Sequence, residues 1–422
     1  MDAVFGASVP SPIERERFYC AHNYDPLPAV LVRGAGPHVW DDTGRRYIDM
    51  MSAYSAVNHG HSHPRLVAAL TRQASTLAVT SRAYFSERLP AFVERLCELT
   101  RMDMALPANT GLEAVEAALK VARKWAYEVK RVPDDCAEII SCEGNFHGRS
   151  IAIVAMSSDA QYRKGFGPLP GGFRQVPYGD AQALRAAITP NTAAFLVEPI
   201  QGERGIVLPP PGYLAECARI CREDNVLFIA DEVQTGLGRT GRLLACDHEG
   251  VHPDGLILGK ALGGGLLPVS AFLARADVLG VLQPGDHGST FGGNPLAAAV
   301  ALEALEVLVD ERLAERSAGL GADMLRELRS IESPLIRDVR GRGLFIGVDL
   351  DPSAVTAHEA ALAFLAHGIL TKDTHETVIR FAPPLTIDRE TFDDALERIR
   401  ATFDALDRVY APAKNSRTRA LV

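Results

Sequence analysis

VLFIADEVQTGLGRTGRLLACDHEGVHPDGLILGKALGGG (226–265) contains two unbroken apolar runs, VLFIAD (226–231) and GLILG (255–259). The first is closed by Asp231 and the second is followed by Lys260. A run with no polar face is a strand covered on both sides, as in parallel sheets layered with helices. Upstream, AEIISC (137–142), SIAIVAM (150–156) and AAFLVEP (193–199) repeat the pattern and read as further strands. Helices are predicted at Gly111–Arg131, Gly212–Asp224 and Pro295–Val309. The first carries Leu112, Val115, Leu119, Ala122 and Trp125 at helical spacing, and the third starts with a proline at a permitted first-turn position. The alternation over 60–310 reads as a large α/β domain with a mostly parallel sheet covered by helices. Charged helices then flank RGLFIGVDL (342–350) and TVIRFAPPL (377–385), which reads as a smaller α+β domain over 311–410. Residues 1–20 and the tail 411–422 read as poorly ordered ends.

The 422 residues are 47% apolar and 23% charged, with a mean hydropathy of +0.02, so the composition is that of a globular protein with a large core. Forty-four basic against 53 acidic residues leave a net charge of −9 and argue against a nucleic-acid binder. No apolar stretch reaches the roughly 20 residues of a membrane span. The N-terminus shows no basic region leading into an apolar run, so no secretory signal is expected. The seven cysteines contain no CxxC, and Cys217 and Cys221 read as core packing one helical turn apart. This is the usage of a reduced, cytoplasmic protein. Only seven residues are lysine, against 37 arginines, so chemistry that needs an amine has few candidates.

In open α/β sheets ligands bind beyond the carboxyl ends of the strands. Gly236-Leu-Gly-Arg-Thr-Gly241 matches GxGxxG in form, but it does not start at a strand end and no good helix follows, so it reads as a flexible loop. GLILGKA (255–261) lacks the spacing and the Ser/Thr of a phosphate-binding P-loop. Asp231 and Lys260 carry more. A carboxylate directly after five apolar residues needs a cationic partner or forms a structural ion pair. Lys260 alone among the lysines sits between a buried strand and a glycine run, where partial desolvation lowers an amine's pKa and suits it to a Schiff base. An aspartate to hold a pyridine nitrogen protonated completes the minimum electronics of a pyridoxal-phosphate site. Asn109-Thr110-Gly111, before a helix, offers phosphate donors, and His287-Gly-Ser-Thr-Phe-Gly-Gly-Asn294 is a second donor loop.

MSAYSAVNHGHSHP (51–64), PANTGLEAVEAALKVARKWAY (107–127), GNFHGR (144–149), AAFLVEPIQGERG (193–205), LFIADEVQTGLGRTGR (227–242), LILGKALGGGLLPVS (256–270), HGSTFGGNP (287–295) and IRFAPPL (379–385) occur in this order. Together they resemble the class III, fold-type-I pyridoxal-phosphate-dependent aminotransferases over about residues 20–405, nearest to the ornithine δ-aminotransferase branch. The resemblance implies a large domain with a seven-stranded-type, mostly parallel sheet, and a small domain to which residues 1–59 contribute. It implies Lys260 as the Schiff-base lysine and proton shuttle, Asp231 on the ring nitrogen, Val233 under the ring and Gln234 on its hydroxyl. Phe146 would stack on the other face with His147 adjacent. Thr110 and Gly111 would hold the phosphate, joined by Thr290 from a second subunit of a homodimer. The histidines of HGHSHP (His59, His61, His63) fall in a family loop, and no metal is expected.

A transferase that takes an amine from ornithine and returns it to 2-oxoglutarate must fit a cation and a dicarboxylate in one pocket. Arginine suits carboxylates because its guanidinium contacts are bidentate. By resemblance, Arg149 and Tyr54 would bind ornithine while Glu203 neutralises Arg380, and Glu203 would then swing away to let Arg380 take glutamate's α-carboxylate. Two departures bear on substrate preference. Ala83-Tyr84-Phe85 stands where ornithine enzymes commonly read Ala-Phe-Tyr, so the substrate-facing hydroxyl is moved or lost, and Arg204 replaces a small residue beside Glu203. Related enzymes for acetylornithine, 4-aminobutyrate or lysine are therefore the nearest alternatives. A racemase or epimerase on this fold would need no second substrate, against the presence of both Arg149 and Arg380. A binding protein would be expected to lack Lys260 or Asp231.

Overall fold

The computed structural model describes residues 10–419, with side chains to residue 410. Its centre is a seven-stranded sheet in the order Met104–Ala108, Ser270–Ala274, Gly255–Leu258, Leu227–Asp231, Thr192–Val197, Glu138–Cys142, Phe173–Val176. Ser270–Ala274 is antiparallel to both neighbours, and the remaining pairings are parallel. Alternate residues go to opposite faces. Ile139, Leu196, Ile229, Ile257 and Phe272 pack with the helix Gly111–Trp125. Ile140, Phe195, Val197, Phe228, Leu256 and Leu258 pack on the other side with Tyr213–Glu223 and Pro295–Asp310. Each such side chain contributes about 1.5–3 kcal/mol on burial, so the two-sided cover makes these strands the rigid platform of the molecule.

Four of the five expected strands form, within a residue or two of the expected bounds. SIAIVAM (150–156) does not. It is the short helix Ile151–Ala155, whose first turn is capped by Ser150 Oγ accepting the Ile153 N–H at 3.2 Å. Ile151 is 52% exposed while Ile153 and Met156 are buried, a one-sided pattern that composition alone conceals. The helix expected over 111–131 is α-helical to Trp125, continues as a π turn over Ala126–Lys130, and stops at Arg131 with φ +65°. Three sheet strands had no clear sequence signal: Met104–Ala108, Phe173–Val176 and Ser270–Ala274. The first two are edge strands, and Pro107 interrupts the apolar pattern of the first.

The expectation of irregular ends is corrected where the ends are described. Pro12–Tyr19 is a helix closed by a reciprocal Ser11–Glu14 capping box, and the last helix runs over Arg389–Arg419. Residues 1–9 and 420–422 of those segments lie outside the described residues. Cys217 and Cys221 are buried in the core, and all seven cysteines are free.

Two smaller sheets complete the chain. Ile336–Gly341, Ile346–Leu350, Val378–Phe381 and Asp373–Thr374 form an antiparallel sheet. Leu31–Ala35, His38–Asp41 and Arg46–Asp49 form a meander that Ile369–Leu370 extends by parallel pairing with Arg46–Asp49. Between these parts and the central sheet lies the glycine segment 236–241. It is not a flexible loop, for Gly236 to Thr240 are buried. Arg239 holds it. Its Nη1 donates to Leu344 O (2.8 Å) and Pro383 O (2.7 Å), and its Nη2 donates to Asn58 Oδ1. Gly241, at φ +90°, passes so near helix Leu313–Arg329 that a Cβ would lie 3.0 Å from Ala318 Cα. The glycines here serve close packing. Among the described residues no helix is long and apolar enough to cross a membrane.

Candidate active site

Leu227–Asp231 ends in two consecutive carboxylates that diverge. Glu232 turns inward, where it accepts from the Ala245 N–H, the Cys246 N–H and Thr235 Oγ1, a structural role. Asp231, also buried, accepts the Val233 N–H through Oδ1 (3.1 Å) and His147 Nδ1–H through Oδ2 (2.7 Å). Burial disfavours a charged His147, yet the bond to Asp231 outweighs it and lifts the imidazole above its usual range. His147 Nε2 is buried without a partner. One strand away, Lys260 begins a 3₁₀ turn with φ +45°, a left-handed conformation that costs a non-glycine residue about 1–2 kcal/mol. Burial pushes its ammonium below the usual range, opposed mainly by Glu203.

Val233 lies in a niche made by two glycines. A Cβ on Gly111 would come within 3.0 Å of Val233 Cγ1, and one on Gly259 within 3.4 Å. Gly111 opens the helix Gly111–Trp125, capped by Thr110, whose Oγ1 accepts the Glu113 N–H while Glu113 accepts from Thr110 N. As the first two helical N–H groups, those of Gly111 and Leu112 have no intrahelical acceptor, and the helix dipole favours an anion there. Ser270 Oγ, donating to Thr110 O at 2.7 Å, fixes the turn against the sheet.

Glu203 and Arg380 form a closed pair at 3.0 Å. Arg380 is buried at the centre of Val378–Phe381, and Thr371 Oγ1 donates to its carbonyl. Gln234 Nε2 donates to Glu203 Oε1 (3.1 Å), while Gln234 Oε1 is buried without a donor. Gly202 makes room for that side chain, since a Cβ there would overlap Gln234 Oε1. Burial resists ionisation of Glu203, but Arg380, Lys260 and Gln234 bring its carboxyl down to about 2. The Glu203 carboxyl is therefore ionised across the physiological range. The Arg380 guanidinium lies 5.1 Å from the Tyr54 ring centroid. Tyr54 is carried there by four consecutive left-handed residues, Ser52 to Ser55, a run anchored by Asp49 Oδ1 accepting from the Met51 and Ser52 N–H groups.

A cleft of about 740 Å³ opens beside this pair, lined in part by Phe146, Tyr162, Glu203 and Arg204. Arg149 packs on two of these lining rings, its guanidinium 4.3 Å from the Tyr162 ring centroid and 5.6 Å from that of Phe146. Arg204 is engaged with other partners, its Nη1 donating to Glu143 O and Gln201 Oε1. Gly144, at φ +74°, leaves the space for it. The chain thus gathers Tyr54, Phe146, His147, Glu203, Asp231, Gln234, Lys260 and Arg380, with Arg149 at the rim and Thr110, Gly111 and Val233 on the helix side. Tyr84, Phe85 and Thr290 are not in this group. Tyr84 is 75% exposed, Phe85 102% exposed, and Thr290 is exposed too. The three loop histidines disperse: His59 contacts Ala304 O, His61 pairs with Asp49 and His63 with Glu311.

Sequence reasoning passed over Glu198, Tyr162 and Thr374. Glu198 closes AAFLVE just as Asp231 closes VLFIAD, so the same logic would have found it. Its Oε2 accepts the Phe146 N–H at 2.9 Å, and burial pushes its carboxyl up to about 7, with His147 opposing and Asp231 reinforcing. Between its ordinary value of 4.5 and about 7, the folded protein keeps a proton that the unfolded chain releases. This group's contribution to stability therefore falls as pH rises through that window and is level above it. Glu198→Gln keeps the acceptor and cannot ionise. Its Tm relative to wild type should rise between about pH 5 and about pH 8. A Tm difference that stays constant with pH would show that Glu198 does not titrate in this window.

Residues 19–403 match the class-III aminotransferase family. The ornithine aminotransferase of Bacillus subtilis (strain 168) is 57% identical over 388 residues, 92% of this chain and 96% of that protein. A solved ornithine aminotransferase from Toxoplasma gondii, crystallized with oxidized glutathione and holding PLP at partial occupancy in its active site, superposes with a TM-score of 0.92. It is 48% identical, and 94% of each chain is covered. The acetylornithine aminotransferase of Elizabethkingia anophelis superposes with a TM-score of 0.85 at 48% identity, over 93% of this chain and 97% of that one.

Proposed function

The chain belongs to the class-III aminotransferases, and from that premise we propose that it moves the δ-amino group of L-ornithine to 2-oxoglutarate, giving glutamate 5-semialdehyde and L-glutamate. The observation that carries this reading is the closed Glu203–Arg380 pair, at 3.0 Å, beside Lys260. One pocket can thereby present a neutralised wall to a cationic donor and a bare guanidinium to a dicarboxylate.

The cofactor of this family is pyridoxal 5'-phosphate, and the residues present fit it. Gln234 Oε1 is a buried acceptor with no donor of its own, suited to the phenolic hydroxyl. Asp231 offers a buried carboxylate to the ring nitrogen, and the bond from His147 keeps it aimed. Val233, in its glycine niche, and Phe146 would bound the ring's two faces. Thr110, Gly111 and the helix N-terminus would hold the phosphate. When bound, the group supplies an electron sink that stabilises negative charge at the carbon losing its proton.

The protein's own part is positioning and proton movement. Lys260 Nζ would take up and release the proton of ornithine's δ-carbon, a transfer favoured by the burial that lowers its pKa. Arg149 and Tyr54 orient ornithine's α-carboxylate at the rim, which places the far amine over Lys260. With 2-oxoglutarate, Glu203 leaves Arg380, whose guanidinium takes the α-carboxylate while Arg149 takes the distal one. Thr290 would complete the phosphate site of a neighbouring subunit in a homodimer with shared active sites. The exposed Tyr84 and Phe85, and Phe291 at 55% exposure, give apolar area for that contact. Seven free cysteines fit a cytoplasmic location.

A half-reaction screen of L-ornithine, N-acetylornithine, 4-aminobutyrate and L-lysine tests the reading by the spectral change as the cofactor accepts the amine. Ornithine should react with kcat/KM about 100-fold above the others, since acylation or a missing α-amino group leaves polar groups unmet and lysine's extra methylene misplaces the reacting amine. Acetylornithine is the strongest competitor, given the Elizabethkingia likeness and the Tyr84-Phe85 order. Failure of ornithine to react would overturn the assignment.

A further inference from the structure

Arg380 is held by more than Glu203. Its Nη1 donates to Glu203 Oε1 at 3.0 Å, but its Nη2 donates to Thr374 Oγ1, also at 3.0 Å. The same hydroxyl donates to Glu203 O at 3.0 Å. One hydroxyl thus spends its proton on the Glu203 main chain and a lone pair on the guanidinium, both at good hydrogen-bond length. Thr374 is buried and built rigidly into its place. It pairs with Val378 in the hairpin that returns the chain to Arg380. In the three-residue turn 375–377 between the paired strands, His375 and Glu376 have φ +51° and +64°, and the Thr377 N–H donates to His375 O at 2.8 Å.

These bonds differ from the carboxylate contact in one respect: neither uses the Glu203 side chain. When Glu203 rotates away, the Thr374 bond to Nη2 and the anchor to the Glu203 main chain both remain. We infer that Thr374 is a positioning residue that keeps the Arg380 guanidinium aimed into the pocket while Glu203 is away, and so serves the dicarboxylate half of the reaction selectively. The inference rests on the switch reading of Glu203 and Arg380. It assigns the dicarboxylate specificity of that site to a hydroxyl that does not itself touch substrate. Without the hydroxyl, a departing Glu203 would leave Nη2 buried with no protein acceptor and the guanidinium free to turn toward the Tyr54 ring.

Thr374→Val removes both bonds at nearly constant shape, and Thr374→Ser retains them. With the holoenzyme, Thr374→Val should raise the KM for 2-oxoglutarate and for glutamate about tenfold, the worth of one hydrogen bond to a charged group. The KM for ornithine should stay within about twofold and kcat within about threefold, and Thr374→Ser should restore the wild-type values. A merely structural role would move both substrates together or show no serine rescue, and either result overturns the inference. So does an unchanged dicarboxylate KM. Glu203→Ala run alongside separates this from failure of the switch itself. If Glu203→Ala shifts preference from ornithine toward glutamate while Thr374→Val does nothing selective, only the role of Thr374 falls. If Glu203→Ala leaves the preference unaltered, the switch reading falls and this inference with it.

Discussion

Lys260→Ala should lower turnover with ornithine and 2-oxoglutarate by about 10⁴-fold or more and abolish the near-visible absorbance of lysine-bound cofactor. The size follows from how isolated this amine is. Among the described residues Nζ has no hydrogen-bond partner, and four of the other lysines are engaged elsewhere. Lys120 and Lys124 bind the 286–287 loop, Lys130 binds Thr192 O and Asp224 O, and Lys372 pairs with Asp373. None of these four can replace a base placed beside Asp231. Its left-handed backbone adds to the argument, since a strained residue persists only where its surroundings hold it. Alanine at this position keeps Asp231, Gln234 and the phosphate cradle, so cofactor binding by equilibrium dialysis should survive while turnover does not. Turnover above about a hundredth of wild type would give the proton-moving role to another group.

Arg239→Leu should cost about 3–5 kcal/mol of stability, read as a lower midpoint in denaturant at unchanged slope. The guanidinium is fully buried, and its acceptors come from three separate stretches of chain: Asn58, Leu344 and Pro383. Leucine would leave all three oxygens buried and unmet, each a penalty of about 1–3 kcal/mol, partly offset by the charge no longer being desolvated. Arg239→Lys should lose nearly as much, because a point charge cannot reproduce the planar fork. A loss below about 1 kcal/mol would mean that water replaces the side chain at those carbonyls.

That arginine marks where the sequence was hardest to read. Gly236 to Gly241 looks like a mobile loop because glycine signals freedom, and nothing local says that Asn58, Leu344 and Pro383 converge on its one long side chain. The central strands were legible for the opposite reason: burial on both faces writes itself into consecutive residues, as in VLFIAD. The same feature exposed Asp231 and Lys260, charges set where apolar runs end. Ile151 to Ala155 has the composition of a strand, but Ser150 supplies a cap and the packing is one-sided. Glu198 was visible by the logic that found Asp231 and was passed over. Thr374 was not visible, for a threonine in a hairpin has no chemical signature until both of its bonds are seen.

Arg46–Asp49 pairs in parallel with Ile369–Leu370, and Arg45 bonds to Ala366 across 321 residues of sequence. A ribosome delivers the first of these strands long before the second, at about 5–20 residues per second. For tens of seconds the emerging meander therefore carries an open edge that only a strand about 320 residues later in the chain can cover. Such exposed edges invite pairing with other chains, and contacts so remote in sequence form slowly. The wait also orders the assembly of the pocket. Asp231 and Lys260 leave the ribosome well ahead of Arg380, so a prematurely terminated product would hold the amine and its aspartate but not the cation meant for the acceptor.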